Sequence, residues 1–148
     1  MPIPAYLWLK DDGGALIKGS ADVQNRENSV EVIGFSHAIS LPVDSQTGKP
    51  TGKRTHAPIS FEKEFDSSSP YLFKAVTTGL RLHSAEFKWY RISDAGMEVE
   101  YYNMLLEGVT VISFNPGMPN TKIAGMSGVN HTESVSIMYE KIGRVFNV

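Results

Sequence analysis

Short segments in which apolar and polar residues alternate recur along the chain. In Leu82–Ile92, Phe87 and Trp89 share one face. Glu86 and Lys88 share the other, and a period of two residues is typical of a strand with one buried and one wet face. The chain contains seven such segments: Ala5–Lys10, Ser29–Ile39, Ile59–Phe65, Leu82–Ile92, Met97–Glu107, Val109–Phe114 and Ser134–Ile142. This pattern predicts a mainly β fold, either a sandwich or a barrel.

The linker Ser93–Gly96 lies between two of these segments and predicts a hairpin. Gly96 can supply the positive φ that a short bulged loop needs. Antiparallel pairing is therefore expected.

One segment departs from the alternation. Asp66–Gly79 reads DSSSPYLFKAVTTG and predicts one short α-helix, at about residues 70–78. Ser69 is predicted to cap the first turn, Pro70 suits the first helical position, and Gly79 suits the left-handed residue after the last turn. So short a helix is unstable alone, so it should pack on the sheet through an apolar stripe. The predicted stripe is Leu72, Phe73 and Val76.

Two long loops are predicted. Pro42–Pro58 contains three prolines and two glycines, and loops above roughly 15 residues are uncommon unless they function or are disordered. An arm that projects from the sheet is expected here. Its cations Lys49, Lys53 and Arg54 are either solvated surface or a docking site for an acidic patch on a partner. Asn115–His131 is predicted to be a mobile surface loop.

Composition limits the function. The 148 residues (16.3 kDa) fit a single domain, 1–148, and a net charge of −2 gives no strong attraction to nucleic acid or anionic lipid. The chain has no cysteine, which excludes disulfides and thiolate chemistry. The first 14 residues lack a basic region followed by an apolar run, and no segment is long and apolar enough to cross a membrane. We expect a cytoplasmic protein that does not insert into membranes and that leaves the cell, if at all, without a cleaved signal peptide.

Candidate metal and catalytic motifs are weak. His37, His56, His83 and His131 match no metal-binding spacing, which favours isolated imidazoles over a metal site assembled in three dimensions.

Three other short motifs are better explained by structure. GKPTGKR has the wrong spacing for a phosphate loop, and Asp11–Gly14 fits a tight turn better than a calcium site. Glu98 and Glu100 are more simply exposed strand charges than a catalytic carboxylate pair. Neither an enzyme nor a cofactor is predicted.

Several aromatic residues leave one alternative open. They could form a sugar-stacking platform, although such residues more often fill a β core or an oligomer interface. They are Tyr6, Trp8, Trp89, Tyr90, Tyr101 and Tyr102. The alternative function is therefore a monomeric β-barrel that binds a small ligand or glycan.

Five segments, taken in order, resemble the hemolysin-coregulated protein family, Hcp, of the bacterial type VI secretion system. They are YLWLKDDGG, IKGSADV, the His37 region with LPVDSQTGKPTGKRTHAP, SSSPYLFKAVTTG, and AEFKWYRI followed by EYYNMLLEGVTV. The resemblance covers about Ile3 to Ile142. It implies an antiparallel β-barrel with an appended helix that assembles into hexameric rings. Such rings stack into a tube that a contractile sheath drives out of the cell with a spike, from a baseplate, carrying effectors in its lumen.

The resemblance also implies roles for particular residues. The arm corresponds to the loop that reaches the neighbouring ring, and the ring-stacking residues are Asp44, Thr47, Gly48, Lys49, Lys53, Arg54 and His56. The helix would cover a barrel opening and line the ring, through Ser69, Pro70, Leu72, Phe73, Val76 and Gly79. Because the arm offers cations rather than an apolar anchor, stacking is expected to be weak and salt-sensitive.

One departure from the family lies near the end of the chain. An aromatic residue commonly follows the segment YEKI in the family, whereas Gly143 and Arg144 follow it here. A shorter or less well anchored last strand is therefore predicted.

Overall fold

A computed structural model describes residues 3–125 and 130–146. Within these residues the chain is mainly β with one helix, as predicted. The elements are, in order, β1 (Ala5–Lys10), β2 (Leu16–Ile17), β3 (Val30–Ser36), β4 (Ile39–Ser40), β5 (Thr55–His56), β6 (Ile59–Glu64), α1 (Ser69–Thr78), β7 (Arg81–Ile92), β8 (Glu98–Gly117), β9 (Thr132–Met138) and β10 (Lys141–Phe146).

Six strands close into a barrel. The order β8-β7-β1-β3-β6-β9 returns to β8, because β8 pairs with β7 along one part of its length and with β9 along another. Every pairing is antiparallel. This confirms the predicted barrel and excludes the sandwich.

The strand β8 is longer than predicted. Two predicted segments join through Gly108, which has a φ of 64° inside the strand. The opposite strand, predicted to be continuous, is instead interrupted at Tyr139 and Glu140. The two irregularities lie side by side, since the Glu140 amide donates to the Glu107 carbonyl at 3.0 Å.

The ends of this long antiparallel pair also differ from the predictions. Asn115–Gly117 continue β8 and pair with β9, so the predicted surface loop begins later. Residues 126–129 of that loop lie outside the described part. Gly143 and Arg144 do not interrupt β10, which pairs with β8 from Lys141 to Phe146.

Side chains fill the interior of the barrel. Phe35 lies edge-on to Phe87 and Trp89, with ring centroids 5.2 and 5.1 Å apart, and Phe61 lies edge-on to Phe87 at 5.6 Å. Aliphatic side chains from every barrel strand complete the core. This filling is what a small six-stranded barrel needs for stability.

Helix α1 matches its predicted position but not every predicted role. Ser68, not Ser69, is the residue before the helix, and Gly79 adopts the predicted left-handed conformation at φ 66°. Leu72 and Ala75 form the buried face with Val76 partly buried beside them. Phe73 is 58% exposed, so its assignment to the buried stripe is wrong. Phe73 follows Leu72 by one residue and therefore points about 100° away from it around the helix. Ala75 and Val76 follow Leu72 by three and four residues and share its buried face.

Candidate functional site

The arm, residues 39–56, is an ordered hairpin that lies off the barrel. Its base is the β4–β5 pair, in which Ile39 lies opposite His56, and an isolated bridge joins Val43 to Pro50 further out. The Thr51 amide also donates to the carbonyl of Pro42 at 2.9 Å. Residues 38–55 are all exposed. The arm therefore has fixed local structure without being part of the core.

The tip of the arm is a turn organised by Asp44. Its carboxylate accepts from the amides of Gln46 and Thr47 at 2.7 and 3.3 Å. Its carbonyl accepts from the amide of Gly48, which has a φ of 71°. The structure thus gives Asp44, Thr47 and Gly48 of the predicted set a turn-forming position, while Lys49 and Lys53 are exposed beyond it.

The arm also carries an apolar row that the sequence argument missed. Ile39, Leu41 and Val43 occupy alternate positions and are 47, 50 and 53% exposed. An arm without an apolar anchor was inferred from Pro42–Pro58, which contains only Val43 of this row. Two of the three residues precede the predicted loop, and the alternation itself was the available signal.

Both histidines at the base of the arm approach one hydroxyl group. Nε2 of His37 lies 2.8 Å, and Nδ1 of His56 lies 2.6 Å, from the hydroxyl oxygen of Tyr139. Each histidine is bonded on its other nitrogen to an arginine: Arg144 at 2.5 Å for His37 and Arg54 at 2.9 Å for His56. Partial burial, and then the charge of Arg144, lower the pKa of His37 below 6.5.

A buried ionic cluster connects the barrel to the start of α1. Lys63 and Glu133 both point into the barrel, and Lys63 Nζ lies 3.0 Å from Glu133 and 2.9 Å from Asp66. Ser69 donates to Glu133 and accepts from Lys63 at 3.1 Å, and also from the Asp66 amide at 3.1 Å. Ser69 therefore ties the helix to the interior instead of capping it. Its predicted neighbour Pro70 lies in the first turn.

The exposed face of α1 is partly apolar. Tyr71 and Phe73 are 46 and 58% exposed, and the Phe73 ring lies 6.2 Å from that of Phe114 on β8. The predicted site residues therefore lie in two segments, the arm and the helix α1. Leu72 of the second segment is buried and belongs to the core.

The remaining candidate motifs have structural explanations. Asp11 accepts from the amides of Gly13 and Ala15 at 2.9 Å, so the predicted tight turn is confirmed. Glu98 pairs with Arg26, whereas Glu100 accepts from Asn103. In residues 3–125 and 130–146, no three His, Asp or Glu side chains are grouped so that they could hold a metal ion.

The aromatic residues do not form one platform. Tyr6 and Tyr90 enclose the Arg26 guanidinium, whose centre lies 4.8 and 4.2 Å from their rings. Trp8 instead contacts Lys88 at 4.9 Å, and Trp89 packs against core rings. A single sugar-stacking surface is therefore not supported.

Comparison with known proteins identifies the family. The family described as type VI secretion system effector, Hcp, matches residues 6–145. The chain belongs to the Hcp family. It is 36% identical, over 96% of its length and 88% of the relative, to the major exported protein of Pseudomonas aeruginosa. No helix in the described part of this Hcp chain is long and apolar enough to cross a bilayer.

Solved structures of Hcp proteins agree with the fold. An Hcp1 variant from Escherichia coli EAEC 042 is 58% identical with a TM-score of 0.86, over 97% of this chain and 91% of that one. Secreted Hcp3 from Pseudomonas aeruginosa is 29% identical with a TM-score of 0.79, over 98% of this chain and 91% of that one.

Proposed function

We propose that this Hcp chain is the subunit of a type VI secretion tube. Copies close into hexameric rings, the rings stack, and the tube leaves the cell with effectors in its lumen. The observation that carries the proposal is the family match over residues 6–145. The protein acts as a structural subunit and not as an enzyme.

The distribution of exposed apolar residues supports ring formation. A head-to-tail ring needs two unlike patches on each subunit, and closure follows when the rotation is one sixth of a turn. Ile33 and Phe65 border one cleft beside β3 and β6 and are 47 and 48% exposed. Ile92 and Met97 are 64 and 68% exposed at the tip of the β7–β8 hairpin. Two unlike apolar surfaces on one subunit support a head-to-tail contact between neighbouring copies.

The arm supports stacking of the rings. One side of this hairpin carries an apolar row, Ile39, Leu41 and Val43, and the other carries the exposed cations Lys49 and Lys53. An apolar centre with charged residues near it is the usual composition of a protein interface. The arm reaches the next ring, where unlike faces meet and the array grows without closing. Helix α1 lines the ring through its exposed face.

Export follows from the same proposal. The relative from Pseudomonas aeruginosa is named a major exported protein, which supports secretion of this chain. A contractile sheath, spike and baseplate are its partners in the apparatus, and effector proteins are its cargo. The protein is cytoplasmic before assembly and leaves without cleavage of a signal peptide.

Negative-stain electron microscopy of the purified protein tests the proposal. Annuli at low concentration and filaments at high concentration are expected. Isolated globules at every concentration would support the monomeric ligand-binding barrel instead. A matched secretion test compares cells with and without a working sheath, and the protein should accumulate outside only the former.

A further inference from the structure

The arm, residues 39–56, is joined to β3 and β6 by two connecting segments, here called its legs, which are residues 37–40 and 55–57. Both legs contact the same side chain of the barrel. His37 lies in the leg that follows β3, and His56 lies in the leg that precedes β6. Tyr139 lies between them at the interruption of β9 and β10. Its ring lies edge-on to both imidazoles, with centroids 5.6 and 5.4 Å away. A single residue of the barrel thus contacts both ends of the hairpin.

The arginines fix which imidazole nitrogens carry protons. A guanidinium can only donate and stays charged, so Nδ1 of His37 must accept from Arg144. In the same way Nε2 of His56 must accept from Arg54. The nitrogen that faces Tyr139 then carries the hydrogen in each ring, and the hydroxyl oxygen accepts from both. Nδ1 of His37 can accept from Arg144 only while this imidazole is neutral.

The charges that act on His37 and Tyr139 are positive and come from Arg144 in β10 and Arg54 in the arm. Arg144 of β10 faces His37 and also donates to Tyr102 of β8 at 3.1 Å. The charges that act on Tyr139 are those of Arg144 and Arg54. The groups that act on His37 are Arg144 and His56. Uptake of a proton here adds a positive charge next to existing ones.

We propose that His37, His56 and Tyr139 form a pH-sensitive latch, which holds the arm against the barrel at neutral pH and releases it in acid. Protonation of His37 places an N–H at Nδ1, opposite the N–H of Arg144. The two donors cannot bond to each other, so the hydrogen bond between the arm and β10 is replaced by repulsion between two like charges. The leg that contains His37 then moves away from Arg144 and Tyr139, and the arm gains freedom.

The consequence for tubes rests on the proposed function. A released arm must be ordered again before it can contact the next ring, which opposes stacking. Tubes should therefore be shorter at pH 5.5 than at pH 7.5, with rings still present.

Hydrogen exchange of the full chain tests the latch directly. Amides of peptides that span 39–57 should lose roughly tenfold or more of their protection between pH 7.5 and 5.5, after correction for the intrinsic exchange rates, because hydrogen bonds at both legs are lost. The Ala57 amide, which donates to the Ala38 carbonyl at 2.9 Å, lies at the base of the arm and is the most informative. Peptides from β7 should not change.

Two variants separate the latch from a general effect of acid. Tyr139→Phe keeps the ring and removes the hydroxyl, so arm protection should already be low at pH 7.5 and change little in acid. His83→Gln alters an exposed histidine on β7 and should keep the behaviour of the unmodified chain. Equal arm protection at both pH values, or an unchanged pH response in Tyr139→Phe, would overturn the proposal. The exchange experiment needs no tube, so its outcome is independent of whether rings stack.

Discussion

Lys63 and Glu133 face each other across β6 and β9, with Lys63 Nζ 3.0 Å from Glu133 Oε1 and both side chains fully buried. Both occupy inward positions of their strands, next to the inward apolar residues Phe61 on β6 and Val135 on β9. Asp66 and Ser69 bond to the same pair. The start of α1 is thus fixed to the barrel by charge as well as by apolar packing.

Lys63→Met should destabilise the protein by about 3–5 kcal/mol, because it leaves the Glu133 carboxylate buried without its cation. Urea unfolding at one fixed protein concentration measures the loss, since assembly also contributes to stability. Lys88→Met is the matched control. Lys88 is partly exposed beside Glu86 and Glu100, so at most about 1 kcal/mol should be lost. Adding Glu133→Gln to Lys63→Met should recover part of the stability, and equal losses for both lysine variants would contradict the interpretation.

Gly79→Ala should destabilise the protein by about 1–2 kcal/mol through backbone strain at the end of α1. The left-handed φ of 66° is the cause, since a Cβ at this position would meet no atom within 4 Å. Gly117→Ala is the control, because it also has open space but no positive φ. Thermal melts of both variants should show a loss for Gly79→Ala only, and similar losses would point to a different cause.

Stability should fall as the pH drops below 6.5, in part because of His37. Its pKa is lowered in the folded protein by burial and by the charge of Arg144. Between that lowered pKa and 6.5, the unfolded chain binds more protons than the folded one, so acid favours unfolding. Above 6.5 the contribution is fully present, and below the folded pKa it changes no further. Urea midpoints from pH 8 to pH 5 should fall less for His37→Gln, and parallel curves would contradict this assignment.

Tube length should depend on the apolar row of the arm as well as on its charges. Leu41→Ser with Val43→Ser should shorten tubes and leave ring mass unchanged, because it removes exposed apolar area. Changing Lys49, Lys53 and Arg54 to glutamate should also shorten tubes and leave ring mass unchanged, because it reverses the charge of the arm. Electron micrographs give the length distributions.

Salt separates the two contributions. The screening length falls from about 10 Å at 0.1 M to about 3 Å at 1 M salt, which weakens exposed charge contacts but not apolar ones. Tubes of the unmodified chain should therefore persist at 1 M salt. Complete loss of tubes at 1 M salt would indicate that rings stack through charge alone. Unchanged tube length in the glutamate variant would show that Lys49, Lys53 and Arg54 do not contribute to stacking.

The alternation of apolar residues was sufficient to predict the long strands, whereas the hairpin was predicted from Ser93–Gly96 and the helix from its end residues and apolar stripe. The predicted ends of the strands were wrong where the backbone adopts an unusual conformation. Gly108 was taken as a break, although its positive φ lies within β8 beside Glu140. A glycine in a strand is consistent with either a break or a bend, and the partner strand decides which.

The functional surfaces were less predictable for a different reason. Tyr139 lies 102 residues from His37 and 83 from His56, so their contact leaves no local motif. Lys63 could have been found, because it interrupts an apolar row between Phe61 and Phe65 in the sequence. Glu133 precedes the predicted strand Ser134–Ile142, and only the pairing of β6 with β9 places it opposite Lys63. The residues of the arm were identified, but their division into tip, apolar row and base required the hairpin register.

The central claim is that identical copies close into a ring of six. Light scattering coupled to size-exclusion chromatography at pH 7.5 measures the mass most directly. A mass close to six times the 16.3 kDa of one chain is predicted. A single species of about 16.3 kDa at every concentration would contradict the account.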